Sequence, residues 1–420
     1  MLALLDPLYR TMLWPFKLKA RTGSPIEAPE LVARTEAYNR AAEDYYADFA
    51  NKDFLLRKPF SESATAALHL IDTGVLLQAL NLQAGDTVVE LGAGSCWLSQ
   101  MLNRYGCRTI SVDVSPTALE IGRQLFQRDP ATNWDLRPQF IAYDGHTLPI
   151  DSGSCDRAII SDAFHHIPNQ GEVLHEICRV LKPDGVLGMS EPGRGHGEHQ
   201  QSRMEASTGI LENELVLEDL VALALACGFT HVHVVVAGAR HPFEIPALDL
   251  AAFCGGKNFA LYWRRFSGAL ERHHYLLFYK RRTAPDTTRP GRLQATISTP
   301  RPDHILHLRS GEAAALAVSI TNDGDTNWLA LPRDGRGWTR LGVHLLKEDA
   351  TGSRALVNFD WHRADLSASV APGEQADVAV TLPAIIDPGR YVAVFDLVVE
   401  RLAWFAEYGS STLEIVLDVE

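Results

Sequence analysis

The spacing of apolar residues changes character along the chain, and each change predicts a different architecture. In the first 81 residues it is helical. EAYNRAAEDYYADFA (Glu36–Ala50) and ESATAALHLIDTGVLLQALN (Glu62–Asn81) carry apolar side chains every three or four positions, with the loop FLLRKPFS between them. From Thr87 short apolar runs alternate with amphipathic stretches. TVVEL, RTISVDV, QFIAYD, DRAIIS, VLGMSE, HVHVVVAG and HHYLLFYKRR read as strands. CWLSQMLNRYG, PTALEIGRQLFQR, GEVLHEICRVLK and ELVLEDLVALALACG read as helices between them. Ser115 is the expected N-cap of the second of these helices, with Pro116 at its tolerated first position. Strands alternating with helices predict an α/β fold with a mostly parallel sheet covered on both faces. Beyond the Pro- and Thr-rich TAPDTTRPGR the helical period disappears. LQATIS, AAALAVSITN, TRLGVHLL, ADVAVTLP, RYVAVFDLVVE and STLEIVLDV are separated by turn signals such as DGD, APGE and DPGR, predicting an all-β sandwich. The expected organisation is a helical region over 1–81, an α/β domain over 82–282, a linker over 283–292 and a sandwich over 293–420.

Composition narrows the partners. With 39 Lys and Arg against 52 Asp and Glu the formal charge is −13, which disfavours nucleic acid. None of the six cysteines forms a C-x-x-C pair, in keeping with a reducing, cytoplasmic setting. The opening stretch has no leader-like cleavage site. Leu5, Leu8, Tyr9, Met12, Leu13 and Phe16 recur at helical spacing before Lys17, Lys19 and Arg21. Residues 1–21 therefore read either as a peripheral membrane contact or as a helix packed on the enzyme or a partner; Pro7 and Pro15 leave little uninterrupted helix.

The chemistry-bearing residues cluster at strand ends. Val88 to Ser99 run strand, Gly92–Ala93–Gly94, helix. Glycines there permit a tight turn and close approach of a ligand to the backbone. Asp113 ends the next strand, 23 residues after Glu90, where a carboxylate accepts from ribose hydroxyls. Asp144 and Gly145 follow the third strand, and Ser161, Asp162 and Ala163 the fourth. A dinucleotide site would want glycine where this chain has Trp97.

The ordered series ELGAGS, SVDVS, YDGHTLP, DRAIISDAFHHIP and LKPDG resembles the class I S-adenosylmethionine-dependent methyltransferases over about 200 residues. The resemblance implies a Rossmann-like seven-stranded sheet whose last strand is antiparallel. It also implies S-adenosyl-L-methionine as cofactor, with S-adenosyl-L-homocysteine as product. Glu90, Gly92, Ala93 and Gly94 would then lie beside the methionine part, Asp113 and Val114 at the ribose, Asp144 and Gly145 at the adenine. Ser161, Asp162 and Ala163 would line the methionine end. One departure is Cys96, which stands where the family usually has a third glycine; its side chain would crowd the cofactor or turn into helix packing.

Methyl transfer to a hydroxyl needs a base. His166 is the preferred candidate and His196 the runner-up, with His165 beside them. Glu191, Arg194, His199 and Arg203 on the loop SEPGRGHGEHQQSR would contact a small-molecule or glycan acceptor. These histidines with Glu191 and Asp162 lack tight ligand spacing, so no metal is assigned. Lys58, Phe60, Tyr45 and Tyr46 are candidates for a lid. The C-terminal region, with Trp328, Trp338, Trp361, Trp404 and NDGDTNW, resembles immunoglobulin-like modules of bacterial surface-polysaccharide proteins. That implies glycan binding or assembly, including a homo-oligomer. The leading expectation is O-methylation of a sugar or glycan. The alternatives are a small-molecule O- or N-methyltransferase and a non-catalytic scaffold.

Overall fold

A computed structural model describes residues 28–198, 200–237, 244–281, 284–300, 304–333 and 335–420. The expectation for residues 1–21 and the role given to His199 lie outside the described residues. The chain divides into two compact units, Met1–Arg282 and Thr283–Glu420.

The first unit is built on seven strands: β1 (Thr87–Leu91), β2 (Arg108–Asp113), β3 (Gln139–Ala142), β4 (Cys155–Ser161), β5 (Leu181–Pro192), β6 (His231–Val234) and β7 (His273–Tyr279). They lie in the order β3-β2-β1-β4-β5-β7-β6. All pairings are parallel except those of β7, which runs antiparallel to both β5 and β6. This is the sheet implied above, and the order reverses direction between β1 and β4. Such a switch point opens a crevice at the carboxyl ends of the strands. Central strands are buried on both faces and so read as continuous apolar runs; β4 buries Ala158, Ile159 and Ile160 completely.

The helices are α1 (Pro29–Val32), α2 (Thr35–Asp48), α3 (Lys52–Leu56), α4 (Ser63–Ala79), α5 (Trp97–Tyr105), α6 (Pro116–Arg128), α7 (Gln170–Val180), α8 (Gln200–Ser207), α9 (Leu217–Ala226), α10 (Leu250–Cys254) and α11 (Phe259–Arg272). Ser115 caps α6 as expected, its hydroxyl accepting from the Ala118 amide at 3.0 Å. The start of FLLRKPFS is α3 rather than loop, capped by Asn51 accepting from Phe54 N–H. No helix of the described residues is long and apolar enough to cross a membrane.

The second unit is all-β. A three-stranded sheet (order β13-β10-β8) and a larger one (order β12-β11-β14-β16-β9) share a single apolar core. The strands are β8 (Ala295–Ser298), β9 (Ile305–Leu308), β10 (Ala314–Asn322), β11 (Thr339–Glu348), β12 (Arg354–Asp365), β13 (Gln375–Leu382), β14 (Gly389–Val399), β15 (Ala403–Trp404) and β16 (Leu413–Val419). Burial alternates along β8 and β13, as period-two patterning requires. Trp328 lies fully inside the core and Trp361 packs against it, whereas Trp338 and Trp404 are half-buried. The linker expectation is corrected. Residues 284–292 are built into this unit: buried Thr287 donates its hydroxyl to Gly337 O at 2.6 Å, and Leu293 is a core residue.

Candidate active site

The crevice at the carboxyl edge begins with the turn after β1. Gly92 and Gly94 both take positive φ, and both are closely approached, Gly92 by Ala163 and Gly94 by the Tyr46 hydroxyl. Asp113 ends β2 and is buried. Its Oδ2 accepts from Gly94 N–H at 2.8 Å and its Oδ1 from Ser115 N–H at 2.9 Å. Burial pushes this carboxyl up, backbone N–H groups at Ser115, Gly94 and Val114 pull it back, and Glu43 adds repulsion. Such a buried carboxylate gains most from further donors, which a ribose diol supplies. Asp144 is exposed; its Oδ1 accepts from the amides of His146 and Thr147, and these bonds hold its carboxyl low. The residues at this edge therefore fit S-adenosylmethionine: carboxylates at the ends of β2 and β3, and a backbone turn without side chains between β1 and α5.

Two expectations need adjustment. Glu90, near the end of β1, is engaged inside the protein. It is 4% exposed and accepts from the Ser99 hydroxyl; burial, outweighing the Ser99 bonds and aided by Asp113, pushes its carboxyl up to about 8. Cys96 adopts a left-handed backbone (φ 56°) and its thiol turns away from the crevice, into the space left by the missing side chain of Gly122 on α6. Burial drives the thiol well above its ordinary pKa, so it is a packing group and not a nucleophile.

Helix α2 lies across the cofactor edge. Asn39 donates to Asp144 O at 3.0 Å, and Glu43 accepts from the Ser115 hydroxyl at 2.5 Å. Asn39, Glu43 and Tyr46 follow each other by four and three positions, so they share one helical face. Of the proposed lid residues, Tyr46 reaches Gly94, Lys58 acts on Asp162, and Phe60 is exposed. Sequence reading missed Asn39 and Glu43; their recurrence on the polar stripe of an amphipathic helix was the available signal.

The chemistry beyond β4 converges as expected but with different roles. Glu191, assigned above to the substrate, is instead 0% exposed. Its Oε1 accepts from Ala163 and Phe164 N–H, both at 3.0 Å, and its Oε2 lies 2.8 Å from His165 Nδ1. A carboxylate buried in β5 thus orients the turn after β4. His165 is 2% exposed; burial lowers its pKa, but the Glu191 hydrogen bond and charge, with Asp162 and Glu212, raise it to about 9. His166 packs its ring against His165 at 3.9 Å between centroids and donates from Nδ1 to Leu211 O at 2.7 Å. Burial and the charge of His165 lower its pKa. His196 stacks edge-on against His165 at 4.7 Å, and its Nε2 lies 2.9 Å from Glu212 Oε2. Ser161 and Ala163 are half-buried, and Asp162, in a left-handed conformation (φ 53°), reaches solvent. Desolvation by the walls of the crevice works to raise the Asp162 carboxyl, and His165, His166, Lys58 and His196 together bring it below its ordinary value. Arg194 and Arg203 are exposed. Glu212 was missed; it sits in ILENE, which carries no motif.

Residues 89–189 match the family model described as "Methyltransferase domain". "Methyltransferase GfsG" of Streptomyces halstedii is 28% identical over 173 residues, covering 37% of this chain and 59% of that protein. The mitochondrial ubiquinone biosynthesis O-methyltransferase of Schizosaccharomyces pombe is 26% identical over 183 residues, covering 43% of this chain and 57% of that protein. Geranyl diphosphate C-methyltransferase from Streptomyces coelicolor is a similar solved structure: TM-score 0.40, 17% identity, covering 57% of this chain and 96% of that one. The chain spans about half the length of the curated relatives it matches. Residues 89–189, which run from β1 into β5, are thus similar to a methyltransferase domain.

Proposed function

We propose that the protein transfers a methyl group from S-adenosylmethionine to a hydroxyl oxygen of a polar, sugar-like acceptor, with His166 as general base. When bound, S-adenosylmethionine supplies an electrophilic methyl on a sulfonium. Gly92, Gly94, Asp113 and Asp144 hold and orient that donor, and α2 excludes water from its edge. The observation that carries the base assignment is the hydrogen bond from His166 Nδ1 to Leu211 O at 2.7 Å. A carbonyl accepts only, so Nδ1 bears the proton and the Nε2 lone pair remains to take one from a hydroxyl. His165 is less suited, because Glu191 buries and engages it.

An oxygen acceptor agrees with the name of one relative, an O-methyltransferase of ubiquinone biosynthesis. The sugar-like reading rests on the exposed Arg194, in the turn after β5, and Arg203, which lies on α8 and not on a loop as expected. It does not rest on the second unit, where Arg340 lies 4.5 Å from the Trp338 ring and Arg363 lies 4.1 Å from that of Trp404. That unit, an immunoglobulin-like module in our reading, is assigned to assembly. The scaffold alternative loses its one argument, since Cys96 points into packing.

The test is methyl transfer by the full chain to a panel of free and nucleotide-linked sugars and simple catechols, read by mass spectrometry. A methylated sugar lost on His166→Ala supports the reading. Methylation confined to catechols overturns the sugar-like class, and full activity of His166→Ala removes the base.

A further inference from the structure

Three side chains that sequence spacing kept apart meet beside the proposed base. Ligand atoms of His165, His196 and Glu212 all lie within 4.8 Å of one another, and His166, Glu205 and Glu212 form a second, overlapping group. Two further observations distinguish this cluster from a chance grouping. First, the Glu212 carboxylate is 5% exposed, yet neither oxygen makes a well-aligned hydrogen bond among the described residues. His196 Nε2 at 2.9 Å and His166 Nδ1 at 3.2 Å are close enough to pair but poorly directed. A buried carboxylate held only by such contacts is costly unless it is further paired. Second, Glu191 engages His165 at Nδ1, 2.8 Å away, and is itself anchored by two backbone amides. A buried carboxylate on the distal nitrogen is how metal-ligating histidines are oriented and made more basic. It leaves Nε2 of His165 as the nitrogen to ligate.

We propose that His165, His196 and Glu212 hold a divalent first-row transition metal such as zinc, manganese or iron. Two imidazoles and one carboxylate suit these ions, whereas magnesium and calcium prefer oxygen throughout. Separating His196 Nε2 and Glu212 Oε2 by a few tenths of an ångström brings both to ligating distance around one ion, at about 2.0–2.2 Å each. Three protein ligands would leave a further position open to an acceptor oxygen. The role deepens the methyltransferase reading and rests on it: an acceptor hydroxyl at the open position is made more acidic. Its proton passes to His166 Nε2, and the new O–CH3 bond forms as the S–CH3 bond breaks, releasing the neutral thioether.

The experiment strips the full chain with chelator and titrates it with Co2+, which reports ligand geometry in its visible spectrum, and separately with Zn2+ by calorimetry. Glu212→Gln, His196→Ala and Glu191→Gln are compared, with S-adenosylhomocysteine affinity and the melting profile recorded for each. The expected result is one metal per chain. Glu191→Gln weakens it about 10–100-fold, and Glu212→Gln and His196→Ala abolish it, the last two with unchanged S-adenosylhomocysteine affinity. Failure to bind Co2+ or Zn2+ by a wild-type chain that binds S-adenosylhomocysteine overturns the metal site alone. Equal metal binding by wild type and Glu212→Gln does the same. Metal binding lost in Glu212→Gln, in a chain that melts normally but never binds S-adenosylhomocysteine, supports the site and overturns the methyltransferase reading instead.

Discussion

The two units handle buried polarity in opposite ways. At the carboxyl edge of its sheet the first unit buries Glu90, Asp113, His165 and Glu191, all on or just beyond strands β1, β2, β4 and β5. The second unit has an apolar core of Leu, Val, Ile, Phe, Tyr and Trp; among the described residues Asp396 is its one buried Asp, Glu, His, Lys or Arg. Buried charge costs stability unless it is paired. A unit that carries so much of it at one edge is organised around ligands, and a unit without it around its own packing. The conclusion is local: the same first unit buries Val88, Leu102 and Phe126 as ordinarily as any sandwich.

The contrast can be broken experimentally. The largest effect is expected for Asp113→Ala, which should weaken S-adenosylhomocysteine binding at least about 100-fold by calorimetry, the loss of charge-assisted bonds to two hydroxyls. Asp396→Asn, its counterpart in the second unit, should leave that affinity untouched. If both substitutions weaken binding alike, the division of labour is wrong. Next comes His166→Ala, expected to lower turnover roughly 10²–10⁴-fold while sparing cofactor binding. Trp328→Ala should destabilise the second unit by about 3–5 kcal/mol, seen as an earlier melting transition with cofactor affinity unchanged.

The pH dependence should also differ between units. Glu90 and Asp396 are acids with raised folded pKa values, about 8 and about 6, in both cases through burial first. Below their unfolded values, 4.5 and 3.8, each folded form retains its full stability. Stability is lost as pH rises from the unfolded value through to the folded one, because over that range the folded state keeps the proton that the unfolded state has released. Melting followed from pH 5 to 9 should show this contribution levelling off in the second unit above about 6 and continuing to erode the first until about 8. Glu90→Gln should flatten the slope in the first unit; an unchanged slope would exclude Glu90 as its source. The smallest effect is expected for Gly122→Ala, whose Cβ would collide with the Cys96 sulfur. It should cost about 1–3 kcal/mol, and Cys96→Gly in the same chain should restore most of it.

Much of this molecule is legible in the sequence, for local reasons. Helix α6 begins at Pro116 and ends at Arg128 because a serine cap, a tolerated proline and a continuous amphipathic stripe all agree. Strands β1, β2 and β4 read as apolar runs because neighbours cover both faces. Strand β12 was missed because most of it is exposed on both faces and so has no alternation to read. Helices α10 and α11 were missed too, lying between strands in a stretch whose pattern went unread.

The sites divide along the same line. Asp113, Asp144, Gly92 and Gly94 are placed by short strand-to-turn segments, so motif and position coincide. Three matters lay beyond the sequence: the direction of Cys96, the burial of Glu191, and the gathering of His165, His196 and Glu212. Cys96 turns inward because Gly122, 26 residues later on another helix, makes room for it. Glu191 is buried because β5 pairs with β4 on one side and β7 on the other. The histidine cluster closes on Glu212, from a segment with no motif, because Asn213 N–H donates to His165 O at 3.0 Å. Local pattern determines which elements form; where side chains from distant elements meet depends on which surfaces pack, and only the tertiary fold decides that.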